Sequence, residues 1–165
     1  KEVREETELA KVEPATIEAC EKFVEDVLNA MNMEEVKVTS TIDEEGALSI
    51  TMEGKNMGIL IGKRGQTLDS LQYLTSLVVN KEQQDYVRVK VDTENYRSRR
   101  KDTLENLAKN IAFKVRKTRK PVVLEPMNPY ERRIIHSALQ GNKYVETYSE
   151  GNEPYRHVVV VYKGK

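Results

Sequence analysis

Two short stretches of this 165-residue chain carry side chains suited to chemistry. The first is Gly62-Lys63-Arg64-Gly65. Glycines tolerate unusual backbone angles and let a phosphate or sugar approach the main chain, while Lys63 and Arg64 supply positive charge. Gln66 and Thr67, at the start of the next helix, add free N–H groups and the positive end of a helix dipole. That is the physics of a nucleic-acid backbone clamp, and a solvated helix–helix turn is the alternative the tetrapeptide leaves open. The second stretch holds Arg132 and His136, which share one helix face at four-residue spacing. The helical wheel sets that face away from Ile134 and Ala138 and predicts both side chains in solvent, the arginine suited to a phosphate and the imidazole to stacking or hydrogen bonding, with a surface Arg and His of no consequence as the alternative.

Neither stretch has the makings of an enzyme. No nucleophile adjoins Arg132 and His136, His157 falls in a strand, and two histidines with scattered carboxylates make no metal site. Gly58-Ile59-Leu60-Ile61-Gly62-Lys63-Arg64 is not a P-loop: three residues separate its glycines instead of four, and Arg64 stands where the magnesium-binding hydroxyl belongs. No catalytic residue, cofactor or metal is therefore expected. The lone Cys20 excludes an internal disulfide framework, and the absence of a long apolar run or a signal-like N-terminus predicts a cytoplasmic protein without membrane insertion.

The elements that must position these residues read as two small α+β modules. Residues 1–13 are mostly charged and predict the end of an acidic linker. From Pro14, Ile17, Cys20, Val24, Val27, Leu28 and Met31 recur at helical spacing. Alternating runs over 36–42 and 48–52 predict a hairpin with one buried face, turning at Asp43-Glu44-Glu45-Gly46. A short apolar segment, 57–61, leads into the glycine loop, a helix over 66–80 with Leu68, Leu71, Thr75 and Val78 inward, and a strand over 86–91. The first module is thus α-β-β-α-α-β over 14–92.

The second, 93–165, reads α-β-α-β-β. Residues 97–120 hold ten basic and two acidic side chains around an apolar stripe of Leu104, Leu107, Ala108, Ile111 and Val115, so a long helix is expected, ended by Pro121. The wheel aligns Lys109, Arg116 and Lys120 opposite that stripe. Val122 to Glu125 predicts a short strand, and Asn128-Pro129-Tyr130-Glu131 a capped helix start with a capping box. Ile134, Ile135, Ala138 and Leu139 form that helix's apolar face, Gly141 stops it, and strands over 144–149 and 155–162 follow. Phe113, Tyr130 and Tyr155 are candidate stacking residues, with packing or a domain interface as the alternative.

The formal net charge of zero hides a division, since residues 1–54 carry 5 basic and 15 acidic side chains (net −10) and residues 55–165 carry 22 and 12 (net +10). A basic larger part points to a nucleic-acid or membrane-surface partner. The acidic segment is expected to compete with a nucleic acid for that basic surface.

Ile59-Leu60-Ile61-Gly62-Lys63-Arg64-Gly65, followed by a leucine-bearing helix and a strand, resembles the signature of K-homology (KH) domains in their second, bacterial-type topology. The resemblance implies four single-stranded nucleotides held between loop and sheet, with Gly62, Lys63, Arg64 and Gly65 on the backbone and Ile59 and Ile61 lining a groove. For the two isoleucines core packing is the alternative. Pro126 to His136, with Arg133 beside Arg132, resembles the single-stranded nucleic-acid-binding domain named for an Arg and a His separated by three residues. The two together, with Glu153-Pro154-Tyr155-Arg156 before the last strand, resemble the Jag (SpoIIIJ-associated, KhpB-type) family of RNA-binding proteins. That resemblance implies single-stranded RNA, or single-stranded DNA, as partner, a KH-domain protein or second copy as a possible protein partner, and a link to cell elongation, division or sporulation. It also implies a small extra N-terminal domain before an acidic linker, so the chain is expected to be a fragment.

Overall fold

Apolar residues at three- and four-residue spacing bury one side of α1 (Pro14–Ala30) through Cys20, Val24 and Leu28. The computed structural model describes residues 11–164. Of the expected linker, residues 1–10 lie outside the described residues, and 11–13 are anchored. Val12 packs on the core, and the Gln83 amide accepts from Thr16 Oγ1 at 2.8 Å and from the Glu13 amide at 3.3 Å.

β1 (Lys37–Ile42) and β2 (Leu48–Glu53) form the expected antiparallel hairpin, with Ile42 opposite Leu48. Its turn is organised by Asp43, whose Oδ1 accepts from the amides of Glu45 and Ala47, both at 2.9 Å, while Oδ2 pairs with Lys90 Nζ at 2.8 Å. One face of β2, Leu48, Ile50 and Met52, is buried, whereas Ile42 of β1 is half exposed. α2 (Met57–Ile61), a 3₁₀ turn at Lys63–Gly65, and α3 (Gln66–Glu82) follow. Inward on α3 are Leu68, Leu71, Thr75 and Val79; Val78, expected there, is only partly buried. β3 (Val89–Thr93) lies parallel to β2 and starts later than expected. Asn80 explains the delay: its side chain accepts from the Val87 amide at 2.8 Å and donates to the Val87 carbonyl at 3.0 Å. The sheet order is β1-β2-β3, and its core faces α1 and α3.

The chain divides into two compact units between Tyr96 and Arg97, against an expected boundary at 92/93. In the second, α4 (Tyr96–Thr118) buries Leu104, Ala108, Ala112 and Val115, with Leu107 and Ile111 packed beside them. The helix stops before the position expected. Arg119 takes φ 58° and its amide closes on the Val115 carbonyl at 2.7 Å, a left-handed cap, and Pro121 disfavours helix at Lys120, the residue preceding it. Lys120 is consequently off the helix and does not align with Lys109 and Arg116.

β4 (Val122–Val123) and β5 (Val145–Glu150) flank β6 (His157–Tyr162) in an antiparallel sheet. Between β4 and β5 runs α5 (Pro129–Leu139), entered as the sequence predicts: Asn128 Oδ1 accepts from the Glu131 amide at 2.8 Å, and Pro129 occupies the first turn. The Glu131 carboxylate is buried and pairs with Arg100 Nε at 3.1 Å, tying the start of α5 to α4.

Candidate nucleic-acid interface

The glycine loop is built on backbone that only glycine adopts readily. Gly62 has φ 70° and ψ −174°, Gly65 has φ 76°, and Arg64 between them takes φ 54°. A Cβ on Gly62 would overlap Thr67 Oγ1, and one on Gly65 would meet the Tyr96 ring at 2.5 Å. The turn is therefore pressed against the start of α3 at one glycine and against an aromatic ring at the other. Lys63 is exposed; Arg64 is half-buried, not at an open tip as the sequence predicts. Ile59 is 58% exposed and Ile61 partly buried, while Met57 and Leu60 fill the core from the same short helix. Core packing is thus excluded for Ile59, and an apolar side chain stands in solvent on the helix that leads into the loop.

The Arg132/His136 face differs from its prediction. Arg132 is buried: Nη1 donates to the Met127 carbonyl at 2.5 Å and Nη2 pairs with Glu153 Oε1 at 2.6 Å. His136 is half-buried, with Nδ1 2.7 Å from Thr147 Oγ1 and Nε2 2.8 Å from Ser149 Oγ. For His136 the reason is β5, whose alternate residues Thr147 and Ser149 point at this side of α5; for Arg132 it is the Met127 carbonyl and Glu153 of the β5–β6 loop. A helical wheel locates the polar face of α5 correctly but carries no information that a strand will cover it. Burial, then the positive charges of Arg132 and Arg156, hold the His136 pKa below the usual histidine value, so the ring is neutral near neutral pH. A neutral imidazole has one donor and one acceptor nitrogen, and the two hydroxyls supply the complementary groups.

Of the remaining predicted residues, Arg133 is exposed on α5. Lys109 and Arg116 are exposed on α4, beside buried Ala112 and not opposite the core stripe, and the Arg116 guanidinium lies over the Tyr144 ring, 3.7 Å from its centroid. Sequence reasoning did not single out Thr147, Ser149, Lys143 or Tyr144, and saw Glu153 only as part of a tetrapeptide. Among the described residues no group of three His, Cys, Asp or Glu side chains is placed to hold a metal, and no helix is long and apolar enough to cross a membrane.

Residues 21–91 match the family described as KhpA/KhpB, KH domain, and residues 102–162 match the domain family named for its Arg-x-x-x-His motif. The chain is 63% identical over 143 residues to a Clostridium symbiosum protein named RNA-binding protein KhpB, covering 86% of this chain and 64% of that one. It is 48% identical over 112 residues to the protein of that name from Bacillus subtilis (strain 168), covering 67% and 54%. For the Lactiplantibacillus plantarum protein of that name the figures are 38% over 131 residues, 78% and 41%. The chain spans less than two thirds of the length of each of these relatives. A glycine loop between two helices of an α-β-β-α-α-β unit, followed by a unit whose capped helix carries Arg132 and His136, agrees with both matches: the chain belongs to the KhpB (Jag) family.

Proposed function

We propose that the chain is a non-catalytic single-stranded RNA-binding protein that grips the strand at the glycine loop and at the basic surface of the second unit. The observation that carries this reading is the loop itself, where two glycines that cannot bear a side chain set exposed Lys63 at the N-terminus of the 17-residue helix α3. Exposed Ile59, and Arg133, Lys109 and Arg116 in the second unit, add the apolar and cationic contacts that splayed bases and phosphates need. The relatives' printed name supports the same ligand. Each contact is small, and joining two on one chain raises avidity through effective concentration.

With about four to six phosphates neutralised, log affinity falls against log salt with a slope near −3 to −4. Filter binding at several salt concentrations measures it, and a salt-independent affinity rejects the reading. The double replacement Lys63→Asp with Arg64→Asp weakens binding in a folded chain if the loop is a contact; unchanged affinity returns the loop to a plain turn. Parallel RNA and DNA oligonucleotides decide which strand is preferred. A cytoplasmic location and a link to control of cell elongation, division or sporulation belong to this proposal on family membership alone, and a deletion strain's cell length and sporulation frequency test the link.

One observation favours a second, compatible reading as a protein-interaction adaptor. Tyr73, Leu74 and Leu77 stand 66%, 48% and 52% exposed on one face of α3, an apolar surface fit to pair with another KH chain or a second copy. Light scattering, and co-purification with and without nuclease, separate the readings: a partner retained after nuclease is bound directly, and one released was bridged by RNA.

A further inference from the structure

On the side of the second unit where α4 meets the α5–β5 turn, a cavity of about 310 Å³ is walled by Ala112 and Leu139 and rimmed by Lys109, Phe113, Arg116 and Lys143. Its lining contains three cations and, among the described residues, no carboxylate. Its lining includes neither Arg132 nor His136, nor any of the residues those two bond to. We propose that this cavity is a nucleotide-binding subsite, in which one unstacked base lies on Phe113 and the flanking phosphates meet Lys109, Arg116 and Lys143; this rests on the RNA-binding reading above.

Three features carry it. Phe113 is 66% exposed, so its ring is not spent on the core, and it stands between Lys109 and Arg116, which are separated by about 10 Å of helix rise, enough to place a cation on either side of one base. The cavity floor is rigid. Asn142 Oδ1 accepts from the amides of Tyr144 at 2.8 Å and Val145 at 3.2 Å, which fixes the turn, and the Tyr144 ring in turn holds the Arg116 guanidinium over it. Finally, a stacking aromatic inside a cationic rim selects an unpaired base, because duplex bases are hidden in their own stack.

The chain contains no tryptophan, so Phe113→Trp introduces a single indole reporter at the subsite. Fluorescein-labelled decauridylate and decaadenylate are titrated, with anisotropy reporting binding and indole emission reporting stacking. Quenching of the indole with the same midpoint as the anisotropy change is expected. Phe113→Ala weakens affinity about five- to hundredfold, the loss of one base stack. Lys109→Gln with Lys143→Gln reduces the salt slope by about 1.4, since each single-strand phosphate contributes about 0.7. Both substitutions are at exposed positions, and an unchanged thermal midpoint confirms the fold. Oligonucleotides that bind the unmodified chain but leave the indole unquenched, and bind Phe113→Ala equally well, overturn the subsite alone. No binding by the unmodified chain overturns both the subsite and the functional reading.

Discussion

Replacing Arg132 by Met separates a clamp from a contact. If Arg132 were a surface group reaching for phosphate, its loss would weaken RNA binding and leave stability untouched. Here it is buried and joins the start of α5 to the β5–β6 loop, with one guanidinium nitrogen on the Met127 carbonyl and another on Glu153. Met127 is itself buried, so its carbonyl loses a charge-assisted partner without gaining water, at a cost of about 1.5–3 kcal/mol. The Glu153 side chain is 50% exposed and recovers solvation, so that arm is discounted to about 0.5–1 kcal/mol. Arg132→Met is therefore expected to destabilise the second unit by about 2–4 kcal/mol, equivalent to a roughly 30- to 1,000-fold rise in the opening of β5 and β6. Glu153→Gln, which keeps an acceptor, should raise opening less than about fivefold. Amide hydrogen exchange resolved to β5 and β6 reads both. Exchange in Arg132→Met within twofold of the parent, alongside weakened RNA binding, would refute the clamp and restore Arg132 to a plain ligand contact.

Other expectations follow from single residues. The lowered His136 pKa means that its contribution to stability is fully present above the ordinary value of 6.5 and is lost as pH falls towards the folded value; urea midpoints of the parent relative to His136→Gln should decline on acidification, and a constant difference contradicts it. Cys20 is fully buried and its thiol is pushed up to about 12, chiefly by desolvation, so labelling by a thiol reagent should track unfolding of the first unit; rapid labelling without denaturant is the adverse result. Gly62→Ala should cost at least about 1–3 kcal/mol in backbone strain, whereas Gly58→Ala, with open space around its Cβ inside α2, should be neutral or stabilising by about 0.5–1 kcal/mol; thermal melts compare the two.

What the sequence makes legible is local. The Asn128-Pro129 helix start, the Asp43–Gly46 turn and the apolar spacing of α1 are each decided within a few residues, and each forms as its chemistry predicts. The two-module order follows from these. What is hidden depends on a distant partner: β5 covering His136, Glu153 pairing with Arg132, Asn80 gripping Val87 and delaying β3, and Tyr144 meeting the Arg116 guanidinium. The alignment of Lys120 with Lys109 and Arg116 is lost for another reason, since a basic run read as continuous helix ignores the restriction that Pro121 places on Lys120. The glycine loop is readable as a motif, but the reasons for its glycines, Thr67 and the Tyr96 ring, lie outside the tetrapeptide.

The central position of β6 has a consequence for proteostasis. His157-Val158-Val159-Val160-Val161-Tyr162 is a β-branched segment without proline or acidic residues, the composition that stacks into cross-β fibrils when it is exposed. In the folded unit β5 pairs along its whole length, and the two residues of β4 shield the other edge at Val159 and Val160. β4 thus acts as an edge guard, stopping a second chain from adding to the sheet. Variants that loosen β4 or the β5–β6 loop are expected to be lost to aggregation before any defect in ligand binding is seen, so insoluble yield is the earliest readout of damage to this half of the chain.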